Sequence, residues 1–357
     1  MSRVWDVPVH DSTRVRDVRV AAEAACAAAG LESPRAAAAA LVATELATNL
    51  LKHAGGGRVV VNLVPDPDAV SQDPERHVQI ASLDHGPGIA DVAAALRDGY
   101  STAPSSLGAG LGTCVRTADR FDLHSHRDRG TVAVARVGPT APTTRARTRS
   151  APPGPRVGGV NIPLPHAEHS GDAIGWVRAA GHLTLLLADG LGHGAKAAWA
   201  SDAAVTALRR TAHLPLDEVL RQMHRALRPT RGAAVAVARL DTEAGELHFA
   251  GVGNVGARLH TRDDGWRSLI SHPGIVGAHF PARVPLNRLP WTPDSLLILH
   301  SDGLPSRWTP PCAPELFAHD PAVVAAAVLR DAGSAARTVR DDTSVAVLAP
   351  DRGNEPR

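Results

Sequence analysis

The stretch Ala188-Asp189-Gly190-Leu191-Gly192-His193-Gly194 places an acidic residue at the end of an apolar run and follows it with three closely spaced glycines. The leucines at 183, 185, 186 and 187 predict a buried strand, and the glycines predict a sharp turn into the alanine-rich stretch that begins at Ala195. Such turns often bind phosphate through backbone amides, but the Lys-Ser/Thr pair of a P-loop is missing here. A carboxylate at a strand end suits a hard cation better.

The totals set bounds on the kind of protein. A length of 357 residues favours two domains, and a hydrophobic share of 44% is ample for buried cores. The net charge of +2 gives no overall field that would attract nucleic acid or a membrane surface. The three cysteines are scattered and form no CxxC pair, which is typical of a reducing compartment. No signal sequence or bilayer-spanning run is found, so we expect a cytoplasmic protein.

The composition changes near the middle of the chain. Residues 138–156 are rich in Pro, Thr, Ala and Arg and show no apolar periodicity, which predicts a linker. We therefore expect one domain over residues 1–137, a second over residues 157–350, and a polar tail over residues 351–357.

In the first half, helices are predicted over residues 12–30 and from Ser33-Pro34 to about residue 53. Strands are predicted over residues 58–64, 77–83, 121–126 and 130–137, with a short helix near 91–97 and a glycine-rich loop over 99–112. Glu45, Asn49 and Lys52 project from one face of the second helix. Taken alone, this triplet is more often a solvated polar face than a site.

Four motifs in order change that interpretation: TELATNLLKHAGGG (44–57), DHGPGI (84–89), DGYST (98–102) and GAGLG (108–112). Together they resemble the GHKL ATPase family, and within it the small serine/threonine kinases that act as anti-sigma factors and stressosome switches. The resemblance covers residues 1–137. It implies a Bergerat-type α/β sandwich that binds ATP and Mg²⁺, and it raises the expectation of a homodimer formed through this domain.

The resemblance also implies roles for individual residues. Asn49 would bind the Mg²⁺ that bridges the ATP phosphates, and Glu45 would be the catalytic base for the attacking hydroxyl. Asp84 would accept a hydrogen bond from the adenine amino group. Gly86 and Gly88 would let the backbone approach the base, and Thr131 would lie near adenine. The phosphates would be wrapped by Gly108, Gly110 and Gly112. This fits the chemistry, since phosphoryl transfer needs mainly a metal ligand, a carboxylate and an amide-rich loop.

In the second half, strands are predicted over residues 160–164, 173–177, 182–187, 232–240, 247–252, 255–260, 295–300 and 343–349. Helices are predicted over 195–211, 216–227 and 321–332, and residues 262–292 are expected to mix loop and strand. Strands with an inserted helical pair predict an α/β sandwich.

Acidic residues mark the predicted strand ends of this half: Asp172, Asp189, Asp302 and Asp341. Each alone is commonly a turn former, above all where glycine follows. Four carboxylates brought together would repel one another unless a cation held them, which is the logic of a two-metal hydrolase. His166, His169 and His193 also lie nearby. Without cysteine partners or an i, i+4 pair, we interpret them as surface or supporting residues and not as zinc ligands.

The order SGD (170–172), ADGLGHG (188–194), SDG (301–303) and DDTS (341–344) resembles the metal-dependent PPM-type protein phosphatases, specifically the SpoIIE-type branch. The resemblance covers residues 155–350 and implies an α/β/β/α sandwich. Asp189 would bridge two Mn²⁺ or Mg²⁺ ions, the Gly190 carbonyl would hold the second ion, Asp302 and Asp341 would complete the first, and Asp172 would act through water or at the metal edge. In this family water attacks phosphoserine or phosphothreonine in line, without a phosphoenzyme.

The chain departs from the family pattern at two positions. Ala173-Ile174 replaces the usual aromatic after Gly-Asp, and Ser344 replaces the common threonine. Neither change removes a metal ligand, so they bear on substrate choice.

The sequence thus predicts a bifunctional switch that phosphorylates and dephosphorylates small STAS-domain anti-sigma antagonist or stressosome proteins. Neither nucleic acid nor a membrane is an expected partner. The alternative is a nucleotide-gated clamp that holds a sigma factor or another partner, fused to an active phosphatase and without kinase activity. A third reading leaves one half inactive.

Overall fold

The computed structural model describes residues 3–69, 74–96, 110–140, 154–333 and 340–351. The architecture is mixed α/β, with three five-stranded sheets in which every strand pairing between the named strands is antiparallel. One sheet belongs to the N-terminal half, and two stacked sheets belong to the C-terminal half. The predicted fold class, an α/β sandwich in each half, is confirmed.

The N-terminal sheet has the order β1-β2-β3-β5-β4. Its strands are β1 (Trp5–Val9), β2 (Gly57–Pro65), β3 (Arg76–Leu83), β4 (Arg120–His126) and β5 (Gly130–Val137). One face of the sheet packs on α1 (Ser12–Ala29) and α2 (Ser33–Asn49), with α3 (Val92–Ala95) and α4 (Gly110–Thr117) at one end. Sequence reasoning missed β1, because Pro8 is a strand breaker that only an edge strand such as β1 tolerates.

The start of the first helix and the end of the second are both well defined. Asp11, and not Ser12, caps α1, since its side chain accepts from the backbone N–H of Thr13 at 2.8 Å. The second helix continues beyond Asn49 as a π-helical turn over Leu50–Ala54 and stops at Gly55 in the left-handed region. Asn49 therefore stands where the helix widens.

The C-terminal half stacks two sheets, ordered β13-β10-β9-β8-β7 and β12-β11-β14-β15-β6. The strands are β6 (Arg156–Ile162), β7 (Asp172–Ala179), β8 (His182–Gly190), β9 (Ala233–Asp241), β10 (Glu246–Val252), β11 (Gly256–Thr261), β12 (Gly265–Leu269), β13 (Asn287–Pro290), β14 (Leu296–His300) and β15 (Thr343–Ala349). Leucines of β8 and β14 meet Phe249 between the sheets. Strands β7 and β8 form a hairpin in which Asp189 lies near the end of β8.

Helices cover both outer faces of this stack. The first sheet packs on α5 (Ala195–Thr211) and α6 (Leu216–Leu227), and the second on α8 (Pro321–Ala332), which follows the short α7 (Pro314–Phe317). Residues 262–292 contribute β12 and β13, in agreement with the predicted mixture of loop and strand.

One hydrophobic core spans the two halves. Helix α8 is buried along most of its length, and its apolar side chains join Val60, Ala81 and Val132 of the N-terminal sheet to Val160 and Val345 of the C-terminal half. The second face of the N-terminal sheet is therefore covered by α8 and β6, within the same chain.

Polar contacts reinforce this junction. Arg136 in β5 is 1% exposed and forms two hydrogen bonds with the Asp320 carboxylate, at 2.7 and 2.8 Å. Asp320 in turn caps the first turn of α8. The Arg136 charge holds the pKa of Asp320 at about 2, against the opposing effect of burial. This ion pair is a buried connection between the halves.

Within the described residues, no helix is long and apolar enough to cross a bilayer. The three cysteines are free thiols, and Cys26 and Cys114 are buried.

Candidate functional sites

A cavity of about 280 Å³ lies between α2 and the N-terminal sheet. Of the predicted nucleotide residues, it is lined by Glu45, Asn49, Asp84, Gly88, Gly110 and Thr131. Gly86 lies in the turn after Asp84, Gly112 is buried within α4, and Gly108 lies outside the described residues. Lys52 and His53 also line the cavity.

Glu45 and Asn49 form one end of this cavity. The Asn49 Nδ2 group is buried and has no hydrogen-bond partner in the protein, which is costly unless a ligand provides one. A Cβ placed on Gly110 would lie 3.0 Å from Glu45 Oε2 and 3.4 Å from Asn49 Oδ1. The start of α4 therefore lies directly beside this pair.

Asp84 forms the other end. Its side chain is buried, and Oδ1 accepts from the backbone N–H of Gly86 at 2.8 Å and of Thr131 at 3.1 Å. Burial raises the pKa of Asp84, and the two amide hydrogen bonds oppose that rise. The carboxylate is thus held in one orientation by backbone amides of the two segments beside it.

Two residues that sequence reasoning did not single out complete this corner. Ser125 accepts from the Ile89 N–H at 2.7 Å and shares a hydrogen bond with the Thr131 hydroxyl at 2.8 Å. Gly130 has φ +96°, and a Cβ there would lie 2.1 Å from the Asp84 carbonyl oxygen. Only glycine lets β5 approach Asp84 this closely. The Gly130-Thr131 pair was the available signal for it.

A second cluster gathers the acidic residues of the C-terminal half at one corner of its two sheets. Asp172 opens β7 and lies directly opposite Asp189 in β8. Asp302 follows β14, and Asp341 precedes β15. Gly190, whose carbonyl is a predicted ligand, packs so tightly on α5 that a Cβ would lie 2.1 Å from the Ala197 carbonyl oxygen.

Burial and the charges of neighbouring carboxylates raise the pKa values of three of these carboxyls. Burial raises the pKa of Asp189 to about 7, and the charges of Asp302, Asp341 and Asp342 add to the rise. Burial raises the pKa of Asp172 well above its usual range, with Asp189 as the next cause. The pKa of Asp302 is raised by burial and by Asp341. Burial and mutual repulsion therefore disfavour the charged forms of these carboxyls.

Asp172 is the least satisfied member. It is 1% exposed, and both carboxylate oxygens lack a partner at hydrogen-bond geometry. The Ser301 and Ser344 hydroxyls lie near enough to lower its pKa to some extent. A buried carboxylate without partners is expensive unless a cation binds it.

Two neighbours organise the corner without having been predicted. Asp342 accepts from the backbone N–H of Leu164 at 2.8 Å and of Gly171 at 2.7 Å, which ties β15 to the turn before β7. The Asn254 amide donates to the Asp302 carboxylate. The doubled Asp341-Asp342 was a signal for the first, whereas Asn254 had no motif to mark it.

The donor set fits a divalent cation, since hard cations take carboxylate and carbonyl oxygens. The orphaned oxygens of Asp172 are the observation that supports this fit. In the part of the chain that the structure describes, no three His, Cys, Asp or Glu side chains already converge on one ion-sized point. His166, His169 and His193 accordingly form no such group with their neighbours.

Comparisons with known proteins divide the chain in the same way. Residues 9–137 match the family model described as a histidine kinase-like ATPase domain, and residues 179–350 match the model of stage II sporulation protein E, SpoIIE. The chain is also 36% identical over 88 residues to the serine/threonine-protein kinase RsbT of Bacillus subtilis (strain 168). That match covers 25% of this chain and 61% of RsbT, so the chain spans about three fifths of this curated relative.

Solved structures give similar partial matches. A chain from the structure described as "The bacterial stressosome: a modular system that has been adapted to control secondary messenger signaling" is 28% identical, with a TM-score of 0.48 over 54% of this chain and 98% of that chain. RsbX in complex with magnesium is 18% identical, with a TM-score of 0.47 over 55% and 96%. A Bacillus subtilis SpoIIE structure with the PP2C phosphatase domain and part of the regulatory domain is 15% identical, with a TM-score of 0.48 over 82% of both chains.

Proposed function

We propose, from the premise that the chain joins a histidine kinase-like ATPase domain to a SpoIIE-type phosphatase domain, that it is a bifunctional protein serine/threonine switch. The N-terminal half transfers phosphate from ATP to a partner protein, and the C-terminal half removes it. The observation that carries the proposal is the presence of buried, unpartnered polar groups at both sites, Asn49 Nδ2 in the cavity and Asp172 Oδ1 and Oδ2 in the acidic corner.

In the N-terminal half, each residue has a simple task. Asp84 accepts a hydrogen bond from the adenine amino group, and Asn49 holds the phosphate-bound Mg²⁺. Glu45 lies beside Asn49 and takes the proton from the partner's hydroxyl at its Oε2 atom, which faces Gly110. The likeness to RsbT, which is named as a serine/threonine-protein kinase, supports transfer to a protein hydroxyl.

The C-terminal half would hold two divalent cations, Mn²⁺ or Mg²⁺. Their ligands would be Asp172, Asp189, Asp302, Asp341 and the Gly190 carbonyl. Bound there, the cations supply neutralisation of the phosphoryl charge and lower the pKa of a nearby water. The protein residues would hold the cations at the sheet corner, where Asp172 is buried and Asp302 and Asp341 are exposed to solvent. The substrate is phosphoserine or phosphothreonine on a small STAS-domain protein, which is the partner class that the motif order implies for both halves.

The test follows both reactions on one substrate. The full chain is mixed with Mg-ATP and candidate STAS proteins, and phosphorylation is followed by intact mass; the phosphorylated partner is then given back with Mn²⁺. Asn49→Asp should abolish phosphorylation alone, and Asp189→Asn should abolish dephosphorylation alone. Asp263→Asn, on an exposed turn, is the matched control and should change neither.

Other outcomes have definite meanings. If the chain binds ATP and partner but transfers no phosphate, the N-terminal half is a nucleotide-gated clamp, and the kinase proposal is wrong. If Asp189→Asn keeps phosphatase activity, the acidic corner is not the hydrolytic site. Glu45→Gln separates a base from a binding residue, since loss of a base should lower kcat while ATP affinity stays the same.

A further inference from the structure

The strand β6 is the edge of its sheet, and its free edge faces the N-terminal half. Edge strands carry unpaired backbone groups that need covering. Two amide side chains of the N-terminal sheet provide the cover. Asn62 Nδ2 donates to the Asn161 carbonyl at 2.9 Å, and Gln79 Nε2 donates to the Gly159 carbonyl at 2.8 Å. Asn62 Oδ1 also accepts from the Asn161 N–H at 3.3 Å.

Asn161 continues this chain of contacts into the acidic corner. Its side-chain Nδ2 donates to the backbone carbonyl of Asp172 at 2.9 Å. Asn62, Asn161 and Asp172 are 5%, 7% and 1% exposed, so water does not compete for these hydrogen bonds. A residue of the N-terminal half is thus connected to the most buried acidic residue of the C-terminal half through a single intervening side chain.

The position of Asp172 depends on few other contacts. Its carboxylate oxygens have no hydrogen-bond partner, so the backbone sets where they point. That backbone is fixed by pairing with β8, by the Ser170 hydroxyl, which accepts from the Asp172 N–H at 3.1 Å, and by Asn161. Groups that orient a metal ligand typically change metal affinity by about 10- to 100-fold when removed.

We propose that Asn62 is a positioning residue for the acidic corner and acts on Asp172 through Asn161. The affinity of the C-terminal site for a divalent cation then depends on a side chain of the N-terminal domain. This inference rests on the proposed metal-dependent function and deepens it, because it makes the two domains parts of one metal site.

The test measures Mn²⁺ binding to the full chain by titration calorimetry, in the absence of nucleotide. Asn62→Ala should weaken binding by about 10-fold. Gln79→Ala is the matched control, because Gln79 is a buried amide that bonds the same edge strand at Gly159, from which no side chain leads to Asp172. Its Mn²⁺ affinity should stay close to that of wild type, because Gln79 does not orient a metal ligand.

A double-mutant cycle tests the route. Asn161→Ala should weaken Mn²⁺ binding as Asn62→Ala does, and adding Asn62→Ala to it should cause no further loss. If Asn62→Ala fails to fold, Asn62→Thr removes the amide while keeping a residue that favours strands. Wild-type affinity in a folded Asn62 variant, or equal weakening by Gln79→Ala, overturns the inference.

The variant Asp189→Asn distinguishes a failure of the Asn62 inference from a failure of the proposed function. If Asp189→Asn retains full Mn²⁺ binding, the acidic corner is not the metal site, and the proposed function fails. If Asp189→Asn abolishes binding while the Asn62 variants bind normally, the metal site stands and only the role of Asn62 is wrong.

Discussion

The guanidinium Nη1 of Arg330, in helix α8 of the C-terminal half, lies 3.2 Å from the carbonyl oxygen of Gly130, which packs against Asp84 in the N-terminal half. The Arg330 carbonyl also contacts the His85 ring at 3.0 Å, and the arginine is 3% exposed. Burial raises the pKa of Asp84, and the Arg330 charge opposes part of that rise. The surroundings of Asp84 are therefore supported from outside its own domain.

Arg330→Ala should weaken ATP binding about 10-fold, since a buried hydrogen bond from a charged donor contributes about 1.5–3 kcal/mol. Calorimetric titration with Mg-ATP measures the change. Arg129→Ala is the control, because Arg129 pairs with Asp331 at the same end of α8 but is 57% exposed. Equal affinity of both variants would show that α8 does not support the corner.

Gly130→Ala should abolish nucleotide binding and destabilise the fold by about 3 kcal/mol, because the added Cβ would meet the Asp84 carbonyl at 2.1 Å. Gly30→Ala provides the comparison. Gly30 also has a positive φ, but no atom lies within 4 Å of the added Cβ, so only backbone strain of about 1 kcal/mol applies. Urea unfolding and ATP titration of both variants distinguish contact from strain.

Arg136→Ala should lower the free energy of unfolding by about 3–5 kcal/mol, because it leaves the buried Asp320 carboxylate without its partner. The substitution also removes the hydrogen bond that Arg136 Nε donates to Gln79 Oε1 at 2.9 Å. Arg221→Ala, which breaks an exposed ion pair on α6, should change stability little. Similar losses for the two variants would contradict a structural role for the junction.

Acidification between about pH 6.5 and 4 should remove the stability that His124 contributes to the fold. Burial lowers the pKa of His124 to about 4, with His319 and Arg330 adding to the effect. The unfolded chain, with an ordinary histidine pKa near 6.5, binds a proton in this range that the folded protein resists. His124 therefore contributes stability at neutral pH that is lost in acid, up to about 3 kcal/mol.

His124→Phe keeps the edge-to-face ring contact with His319 and removes the titration. Thermal melts at pH 7.5 and pH 4.5 should show that acidification lowers the Tm of wild type relative to the Tm of this variant. Parallel pH profiles for the two proteins would assign the acid sensitivity elsewhere.

Metal-free protein should become more stable when Asp172 is neutralised. Asp172→Asn removes one carboxylate from a corner where burial and Asp189 both disfavour charge, so the Tm in EDTA should rise by the equivalent of about 1–3 kcal/mol. Mn²⁺ should then stabilise wild type and not the variant. A variant that gains as much as wild type from Mn²⁺ would remove Asp172 from the metal site.

Local signals in the sequence account for the elements that were predicted well. Helices α5, α6 and α8 begin and end where predicted because Gly194, Pro215 and Asp320 mark their starts and apolar spacing defines their faces. The acidic strand ends and the nucleotide motifs were visible for the same reason, since each is a short pattern of residues with fixed spacing.

What the sequence did not reveal depends on distant partners. Asn62, Arg136 and Arg330 have no motif of their own, and their significance comes from residues that lie 99, 184 and 200 positions away along the chain. The linker composition also favoured two separate domains, whereas the apolar face of the N-terminal sheet is completed by α8. Such pairings follow from the packing of the whole chain and leave no local periodicity.

Helix α8 packs against apolar residues of both halves. A cut anywhere within residues 138–156 would therefore not yield two fragments that each fold alone. Each fragment would expose an apolar face shaped for the other, and the pair should reassemble when expressed together. The halves are therefore better regarded as complementary parts of one cooperative folding unit than as independently folding domains.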